Sequence, residues 1–311
     1  MEINECFCGF IESKRINIKK STISHYMQTA LLHIYPISHM QGFTAWDKVT
    51  KEQVNTFLYE NKIKYQLSDK SMYDIKTLWN AFLKYCFENK QISEYIIIPN
   101  KKPKQAAITI FSDTECDKLE RYLLSNIEFV NVSILLCLLC GLRIGEACAL
   151  QWQDLDLDNG IIHVIKTLQR IKDLDPHSIG KTKLIIDTPK SVSSIRDIPI
   201  PDFIIPLLRQ LKGLAGWYIL SASTKPMEPR TLQKKYAVIL HDSCIDYKDY
   251  KTLRHTFATR ALQAGMDIKT LSELMGHENA GFTLKVYVHS SMELKKKEIN
   301  SIYAGKRVIT A

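Results

Sequence analysis

The chain has 311 residues, of which 45% are hydrophobic and 24% are charged, which suits two folded domains and excludes a disordered chain. Its net charge of +9 favours an anionic partner, most commonly nucleic acid, although a basic enzyme without such a partner has the same balance. The longest apolar run, residues 132–139, is too short to span a membrane.

The N-terminal residues and the cysteines point to a cytoplasmic protein without a metal site. Residues 1–5 are acidic and lack the basic and apolar regions of a signal peptide. Cys137 and Cys140 form a CxxC inside an apolar run, which is typical of small core residues. Cys6 and Cys8 have no second pair at zinc-ribbon spacing, so we expect no bound metal.

The first hundred residues predict a small helical domain. A helix begins near Ser21, with about 20 residues before it. A second helix opens at Thr50, which forms a capping-box pattern with Gln53. A third, over roughly residues 71–88, has apolar residues at helical spacing.

Residues 99–105 predict a linker, because two prolines interrupt regular structure and three lysines favour exposure. We place the domain boundary here, with a helical DNA-clamping domain over 1–105 and a second domain with a C-terminal tail over 106–311. A basic linker between basic domains suits a protein that closes around DNA, although a plain tether has the same composition.

The second domain opens with helices and continues with strands. Ser112 and Glu115 form another capping-box pattern, and a buried helix covers residues 129–140, ending at Gly141. Three runs rich in β-branched residues then predict a small antiparallel sheet: 160–166, 183–188 and 196–200.

Helices return after this sheet, so the predicted fold class is mainly α with a small antiparallel β-sheet. One begins at Pro229, one covers 251–264, and one is capped by Asp267 and ended by Gly276. Residues 283–288 carry a tyrosine, and the charged tail from 293 is predicted to be helical.

An Arg at a helix start, Arg254, is followed by His277 and Tyr287, which indicates phosphate chemistry with a tyrosine nucleophile. The planar fork of an Arg binds two phosphate oxygens and keeps its charge. The helix dipole adds to that charge. Tyr can attack phosphorus if neighbouring cations favour its phenolate, and a Lys on a turn can protonate the leaving oxygen.

Each candidate also has a structural explanation. Arg143, after Gly141, could be an ordinary residue at a helix start, and Lys190 a solvated turn residue. His277 could cap a helix C-terminus, and Tyr287 could be a core aromatic. Spacing alone leaves both explanations open.

Five segments, in order over roughly residues 110–291, resemble the tyrosine recombinase (phage integrase) family. Residues 141–146 (GLRIGE) resemble its first arginine box and 253–259 (LRHTFAT) its second. Residues 274–277 and 287–289 resemble the closing boxes, and 188–190 is similar to the β-hairpin that carries the family's lysine. The helical first hundred residues resemble its SAM-like core-binding domain, followed by the recombinase catalytic domain.

This resemblance implies a mechanism without metal, ATP or another cofactor. Tyr287 attacks the scissile phosphate and forms a 3′-phosphotyrosyl link, while Arg143 and Arg254 hold the phosphate. Lys190 protonates the leaving 5′-hydroxyl, and His277 supports the transition state by hydrogen bonding. A partner strand's 5′-hydroxyl then attacks the link, and two such rounds pass through a Holliday junction.

Lys251 departs from the family pattern, which often has His three residues before the second Arg. We assign Lys251 to phosphate binding, because Lys is a poor base unless its pKa is lowered. The general base stays open. Glu146, near the first Arg, is assigned only a supporting role.

The expected function is site-specific DNA recombination for the integration or excision of a phage or other mobile element. The partners would be double-stranded DNA with specific recombination sites, three further copies in a homotetramer, and accessory DNA-bending or directionality factors, without membrane contact. Residues 293–311 would pack on a neighbouring copy. The alternatives are an Xer-like recombinase that resolves chromosome dimers, a DNA-binding relative without catalysis, and a type IB topoisomerase.

Overall fold

The structure is a computed structural model that describes residues 2–104, 107–173, 181–189 and 191–287, together with Lys296 and Asn300. Its contacts divide the chain into two compact units. One contains Met1–Ala107 and Arg170–Ile185, and the other contains Ile108–Gln169 and Ile186–Ala311. The predicted class, mainly α with small antiparallel sheets, is confirmed.

The first unit is built around an aromatic core. Its helices are α1 (Ile3–Lys14), α2 (Lys20–His33), α3 (Lys51–Lys64) and α4 (Asp69–Glu88). Phe82 stacks on Trp46 with ring centroids 5.4 Å apart and contacts Phe7 edge-on at 5.0 Å. The predicted capping box at the start of α3 is present, since Thr50 Oγ1 accepts from the Gln53 amide.

Helix α1 was not predicted, and the expectation that about 20 residues precede the first helix is wrong. Ile3, Phe7 and Phe10 follow helical spacing and are buried in the core. Polar residues and Gly9 interrupt this short apolar face, so packing on α4 stabilises it more than its own composition does.

The second unit contains the helices that carry the candidate site. Helix α6 (Phe129–Cys140) is buried on nearly all sides, as its apolar sequence predicts, and it ends at Gly141. Ser112 caps α5 (Asp113–Ser125) and Asp267 caps α11 (Ile268–Met275), both as predicted. The helices of this unit are α5 (Asp113–Ser125), α6 (Phe129–Cys140), α7 (Ile144–Ala149), α8 (Ile205–Leu211), α9 (Pro229–Asp242), α10 (Lys251–Gln263), α11 (Ile268–Met275) and α12 (Ala280–Tyr287).

The strands form two sheets, whereas a single small sheet was predicted. In the first, β1 (Leu155–Asp156), β2 (Ile161–Val164) and β5 (Arg196–Pro199) pair antiparallel in the order β1-β2-β5. In the second, β4 (Thr182–Asp187) lies beside β3 (Thr167–Lys172), which was not predicted. Only Leu168 in β3 is fully buried, and the strand also carries charged and amide side chains. Its sequence therefore lacks the alternation of apolar and polar residues that would predict a strand.

The predicted linker and the predicted C-terminal tail lie outside these helices and strands. Residues 99–104 carry no regular structure, and the domain boundary near 105 stays a prediction. Except for Lys296 and Asn300, the tail 293–311 lies outside the described residues. Within the described part of the chain, no helix is both long and apolar enough to cross a membrane.

Candidate active site

The turn after α6 positions Arg143. Gly141 has φ +66°, and a Cβ there would lie 2.5 Å from the Phe257 ring, so only glycine fits. Arg143 then becomes the N-cap residue of α7. Its amide donates to Glu146 Oε2 at 2.8 Å, and its Nη1 donates to Glu146 Oε1 at 2.7 Å.

Glu146 joins Arg143 to a second guanidinium on β5. Arg196 donates from Nη1 and Nη2 to the two Glu146 oxygens at 3.0 and 2.9 Å. Burial alone would raise the pKa of Glu146, but the hydrogen bonds and charge of Arg196, with the charge of Arg143, lower that pKa to about 2. The ionised carboxylate therefore fixes both guanidinium groups at neutral pH.

Arg254 lies in the first turn of α10 and is 8% exposed. Its Nη1 donates to the Gly141 carbonyl at 2.6 Å, and its Nη2 donates to the Met275 carbonyl. Burial, with the nearby charge of Arg143, lowers the pKa of Arg254 to about 9, so the guanidinium is charged at pH 7. It is a fixed cation inside the protein.

The turn that ends α11 brings the two family arginines together. Gly276 has φ +58°, and its carbonyl accepts from Arg143 Nη2 at 3.1 Å. The preceding carbonyl, of Met275, accepts from Arg254. Adjacent peptide groups therefore hold the two guanidinium groups, and Arg143 is the more open one, with a side chain 38% exposed.

His277 follows this turn and is neutral at pH 7. Burial lowers its pKa to about 4, and the charges of Arg254, Arg143 and Arg196 act in the same direction. Arg254 Nη2 lies 3.2 Å from His277 Nε2, and Thr283 Oγ1 lies 2.7 Å from Nδ1. Because Arg254 can only donate, the ring proton is on Nδ1 and is donated to Thr283.

Tyr287 ends α12, and its ring packs in the core formed with α10 and α11. The ring is parallel to that of His277, with 4° between the planes and centroids 6.5 Å apart. Its Oη lies 2.7 Å from Nδ1 of His255. Burial raises the pKa of the phenol, while the charges of Arg254 and Arg143 oppose that rise.

The structure therefore brings four of the six predicted site residues into one cluster: Arg143, Arg254, His277 and Tyr287. Lys251 points to solvent with a side chain 70% exposed, and its Nζ lies 3.3 Å from Asp249 Oδ2. Lys190 lies outside the described residues. The catalytic and phosphate-binding roles of all six stay predictions.

Two residues in this cluster had no role assigned from sequence: His255 and Arg196. The strand pattern could have indicated Arg196, since it shares the buried face of β5 with Ile198, and a buried Arg needs a carboxylate partner. His255 directly follows Arg254, but its partner Tyr287 is 32 residues away and no local pattern connects them.

The cluster suits an anionic ligand. Arg143 and Arg196 bond the single carboxylate of Glu146, and Arg254 adds a third guanidinium, so the net charge of the cluster is positive, as a phosphodiester requires. Over the described ranges, no group of three or more His, Cys, Asp or Glu side chains is arranged to hold a metal ion. A phenol and two imidazoles complete the groups available for nucleophilic and proton-transfer chemistry.

The chain is similar to known members of one protein family. The model of the phage integrase family matches residues 103–293. A tyrosine recombinase XerC-like protein of Caldanaerobacter subterraneus subsp. tengcongensis is 30% identical over 273 residues, covering 78% of this chain and 68% of that protein. The transposase from transposon Tn916 of Enterococcus faecalis is 26% identical over 193 residues, covering 56% of this chain and 45% of the transposase.

A solved structure shares the fold. The Tn1549 transposon integrase in complex with transposon right end DNA superposes with a TM-score of 0.72 at 20% identity, covering 98% of this chain and 100% of that one. The family match covers more than half of the chain and contains every member of the arginine, histidine and tyrosine cluster. The chain belongs to the phage integrase family, the tyrosine recombinases.

Proposed function

We propose that the chain is a site-specific DNA recombinase that integrates or excises a mobile element through a 3′-phosphotyrosyl intermediate. The observation that carries this proposal is the convergence of Arg143, Arg254, His277 and Tyr287 around the turn at Gly276. The similarity to the Tn916 transposase supports the mobile-element role.

The side chains divide the work of strand cleavage. Arg143 and Arg254 neutralise the non-bridging phosphate oxygens, and Arg143 has the more accessible guanidinium. The Tyr287 oxygen forms a bond to phosphorus as the bond to the 5′-oxygen breaks. Lys190 gives the leaving oxygen its proton, and neutral His277 supports the transition state through the hydrogen bond that its Nε2 accepts from Arg254.

Rejoining reverses these steps with a different strand. A 5′-hydroxyl from the partner duplex attacks phosphorus, and Tyr287 leaves. One tyrosine per chain cuts one strand, and two duplexes have four strands. Four copies of the chain are therefore required, acting in two rounds with a Holliday junction between them. The proposed place of action is the compartment that holds the DNA substrate, the cytoplasm.

The decisive test is a covalent adduct on a nicked duplex. Purified full-length protein would first select its binding sequence from a random DNA pool. Duplexes of that sequence, nicked at successive positions, then let a short fragment diffuse away after cleavage and trap the adduct. We expect a denaturation-resistant adduct for the wild type and none for Tyr287→Phe, with unchanged DNA binding. An adduct in Tyr287→Phe would overturn the nucleophile assignment.

The Xer-like alternative has an observation in its favour, because the XerC-like relative aligns over a larger share of both chains than the Tn916 transposase does. The position of the selected sequence separates the two functions. Repeats of it on both sides of the coding region support a mobile element. A single chromosomal copy far from that region supports resolution of chromosome dimers.

The same assays separate the remaining alternatives. Tight binding to the selected duplex without any trapped adduct would support a DNA-binding relative without catalysis. Relaxation of a supercoiled plasmid that lacks the selected sequence would support a topoisomerase. We do not expect a relative without catalysis, because the cluster retains a buried tyrosine in contact with a neutral imidazole.

A further inference from the structure

We infer that His255 is the catalytic base that accepts the phenolic proton of Tyr287 during strand cleavage and returns it during rejoining. The geometry carries this assignment, since His255 Nδ1 lies 2.7 Å from Tyr287 Oη. The inference rests on the proposed function, in which Tyr287 is the nucleophile.

The position of His255 suits proton transfer. Lys251, the residue at the usual family position for His, is mostly exposed and paired with Asp249. His255 lies one turn further along α10 and is half-buried. Its ring centroid is 5.6 Å from that of Tyr287, with 51° between the planes, so the hydrogen bond approaches the imidazole from its edge. A base must reach the proton that it removes, and His255 does so directly.

The charges around His255 keep it able to accept a proton. Burial lowers its pKa, and the positive charges of Lys251 and Arg254 lower it further. Tyr287 and neutral His277 face it from α12 and from the turn after α11. The imidazole is therefore neutral at pH 7, and in the tautomer that carries its proton on Nε2, Nδ1 accepts from the phenol.

The transfer balances in both directions. In cleavage, the O–H bond of Tyr287 breaks, its proton moves to His255 Nδ1, the tyrosine oxygen bonds to phosphorus, and the 5′-oxygen leaves with a proton from the leaving-group acid of the proposed function. In rejoining, the 5′-hydroxyl of a partner strand returns its proton to that acid as it attacks phosphorus, and the departing tyrosine oxygen recovers its proton from His255. No further reactant is consumed.

The test measures single-turnover adduct formation by the full-length chain on the nicked selected duplex. His255→Ala removes the base, and His255→Asn keeps a hydrogen-bond acceptor that cannot take up a proton. We expect both variants to bind this duplex as the wild type does and to cleave it about 100-fold more slowly at pH 7. Added imidazole should restore part of the rate to His255→Ala, because it can occupy the space that the ring leaves.

The pH dependence gives a readout that a structural role would not move. The wild-type rate should fall as pH drops through the lowered pKa of His255, while His255→Asn should lack that decrease. As pH rises towards the phenol's own pKa, hydroxide replaces the base, and the difference between wild type and variant should shrink.

The outcomes separate this inference from the proposed function. Wild-type activity in His255→Asn with an unchanged pH profile would overturn the base assignment and leave Tyr287 as the nucleophile. An adduct in Tyr287→Phe, or no adduct in the wild type, would overturn the proposed function and this inference with it. Slow cleavage by both His255 variants, restored by imidazole in His255→Ala, would establish the base.

Discussion

The carbonyl oxygen of Gly276 accepts a hydrogen bond from Nη2 of Arg143, which lies 133 residues earlier in the chain. The peptide before it, at Met275, accepts from Arg254 in the same way. The orientation of both guanidinium groups therefore depends on the left-handed backbone of one glycine.

Substituting this glycine should disturb both arginines. In Gly276→Ala, the new Cβ would lie 3.0 Å from Ser194 Cα and 3.1 Å from the Ser193 carbonyl, so backbone must move in addition to adopting φ +58°. We expect a loss of roughly 2–3 kcal/mol in the free energy of unfolding, measured by urea denaturation. Adduct formation should fall at least tenfold at temperatures where the variant is folded.

Gly265→Ala is the matched control, because Gly265 also has a positive φ, +91°, but a Cβ there would meet nothing within 4 Å. Its free energy of unfolding should fall by only about 1 kcal/mol, and it should still form the adduct. Equal adduct formation by the two variants would mean that the Gly276 carbonyl does not orient the guanidinium groups.

The buried carboxylate of Glu146 should make stability depend on acid. Its pKa is lowered from 4.5 to about 2. Its contribution to the free energy of unfolding is therefore complete above about pH 5 and is lost as pH falls towards 2. That shift corresponds to roughly 3 kcal/mol at neutral pH. Glu146→Gln should therefore be less stable at pH 7 by about 3–5 kcal/mol, since Arg196 loses its buried partner.

Denaturant titrations at pH 7, 4 and 3 measure this effect. The difference between wild type and Glu146→Gln should shrink as the pH is lowered. Glu273→Gln serves as the control, because Glu273 is exposed and lies 3.9 Å from Lys269, and its effect should stay below about 0.5 kcal/mol at every pH. A pH-independent difference for Glu146→Gln would show that folding does not lower the pKa of the carboxylate.

Local patterns predicted the helices well, because their signals lie within a few residues. The capping box of Ser112 and Glu115 at the start of α5 and the apolar run of α6 are examples. Helix α1 and strand β3 were missed, since their short faces become buried only through packing that distant segments provide.

The sequence predicted which residues form the site better than it predicted the contacts between them. Arg143, Arg254, His277 and Tyr287 were identified from the boxes around them, and the structure brings them together. The pairs Glu146–Arg196 and His255–Tyr287 span 50 and 32 residues, and single-sequence periodicity carries no information on such contacts.

Arg143→Lys tests whether the guanidinium fork is required for the phosphate. Lys keeps the charge but cannot bind Glu146 and the Gly276 carbonyl while also binding two phosphate oxygens. We expect adduct formation on the nicked duplex to slow by about 10²–10³-fold, with duplex affinity reduced only a few-fold. Arg209→Lys changes an exposed Arg paired with Asp158, and it should cleave at the wild-type rate. Near-wild-type cleavage by Arg143→Lys would remove Arg143 from phosphate binding.

Thr283→Val tests whether the tautomer of His277 matters. Thr283 is fully buried, and its Oγ1 accepts the His277 Nδ1 proton at 2.7 Å. Valine fills the same volume but cannot accept a hydrogen bond, so the Nδ1 proton of His277 loses its partner and the tautomer is no longer fixed. The free energy of unfolding should fall by roughly 1–2 kcal/mol. We expect cleavage to slow about tenfold, because Nε2 of His277 is no longer held as the acceptor that positions Arg254. Nitrogen NMR of the histidine ring should show mixed tautomers in place of Nδ1–H.

Thr256→Val is the matched control, since Thr256 is equally buried and its hydroxyl bonds the Phe111 amide and the Thr252 carbonyl, away from His277. It should lose comparable stability, cleave at the wild-type rate and retain the Nδ1–H tautomer of His277. If the two variants lost cleavage in proportion to their stability, Thr283 would act on the fold alone. A slow Thr283→Val beside an unaffected Thr256→Val would assign the effect to the orientation of His277.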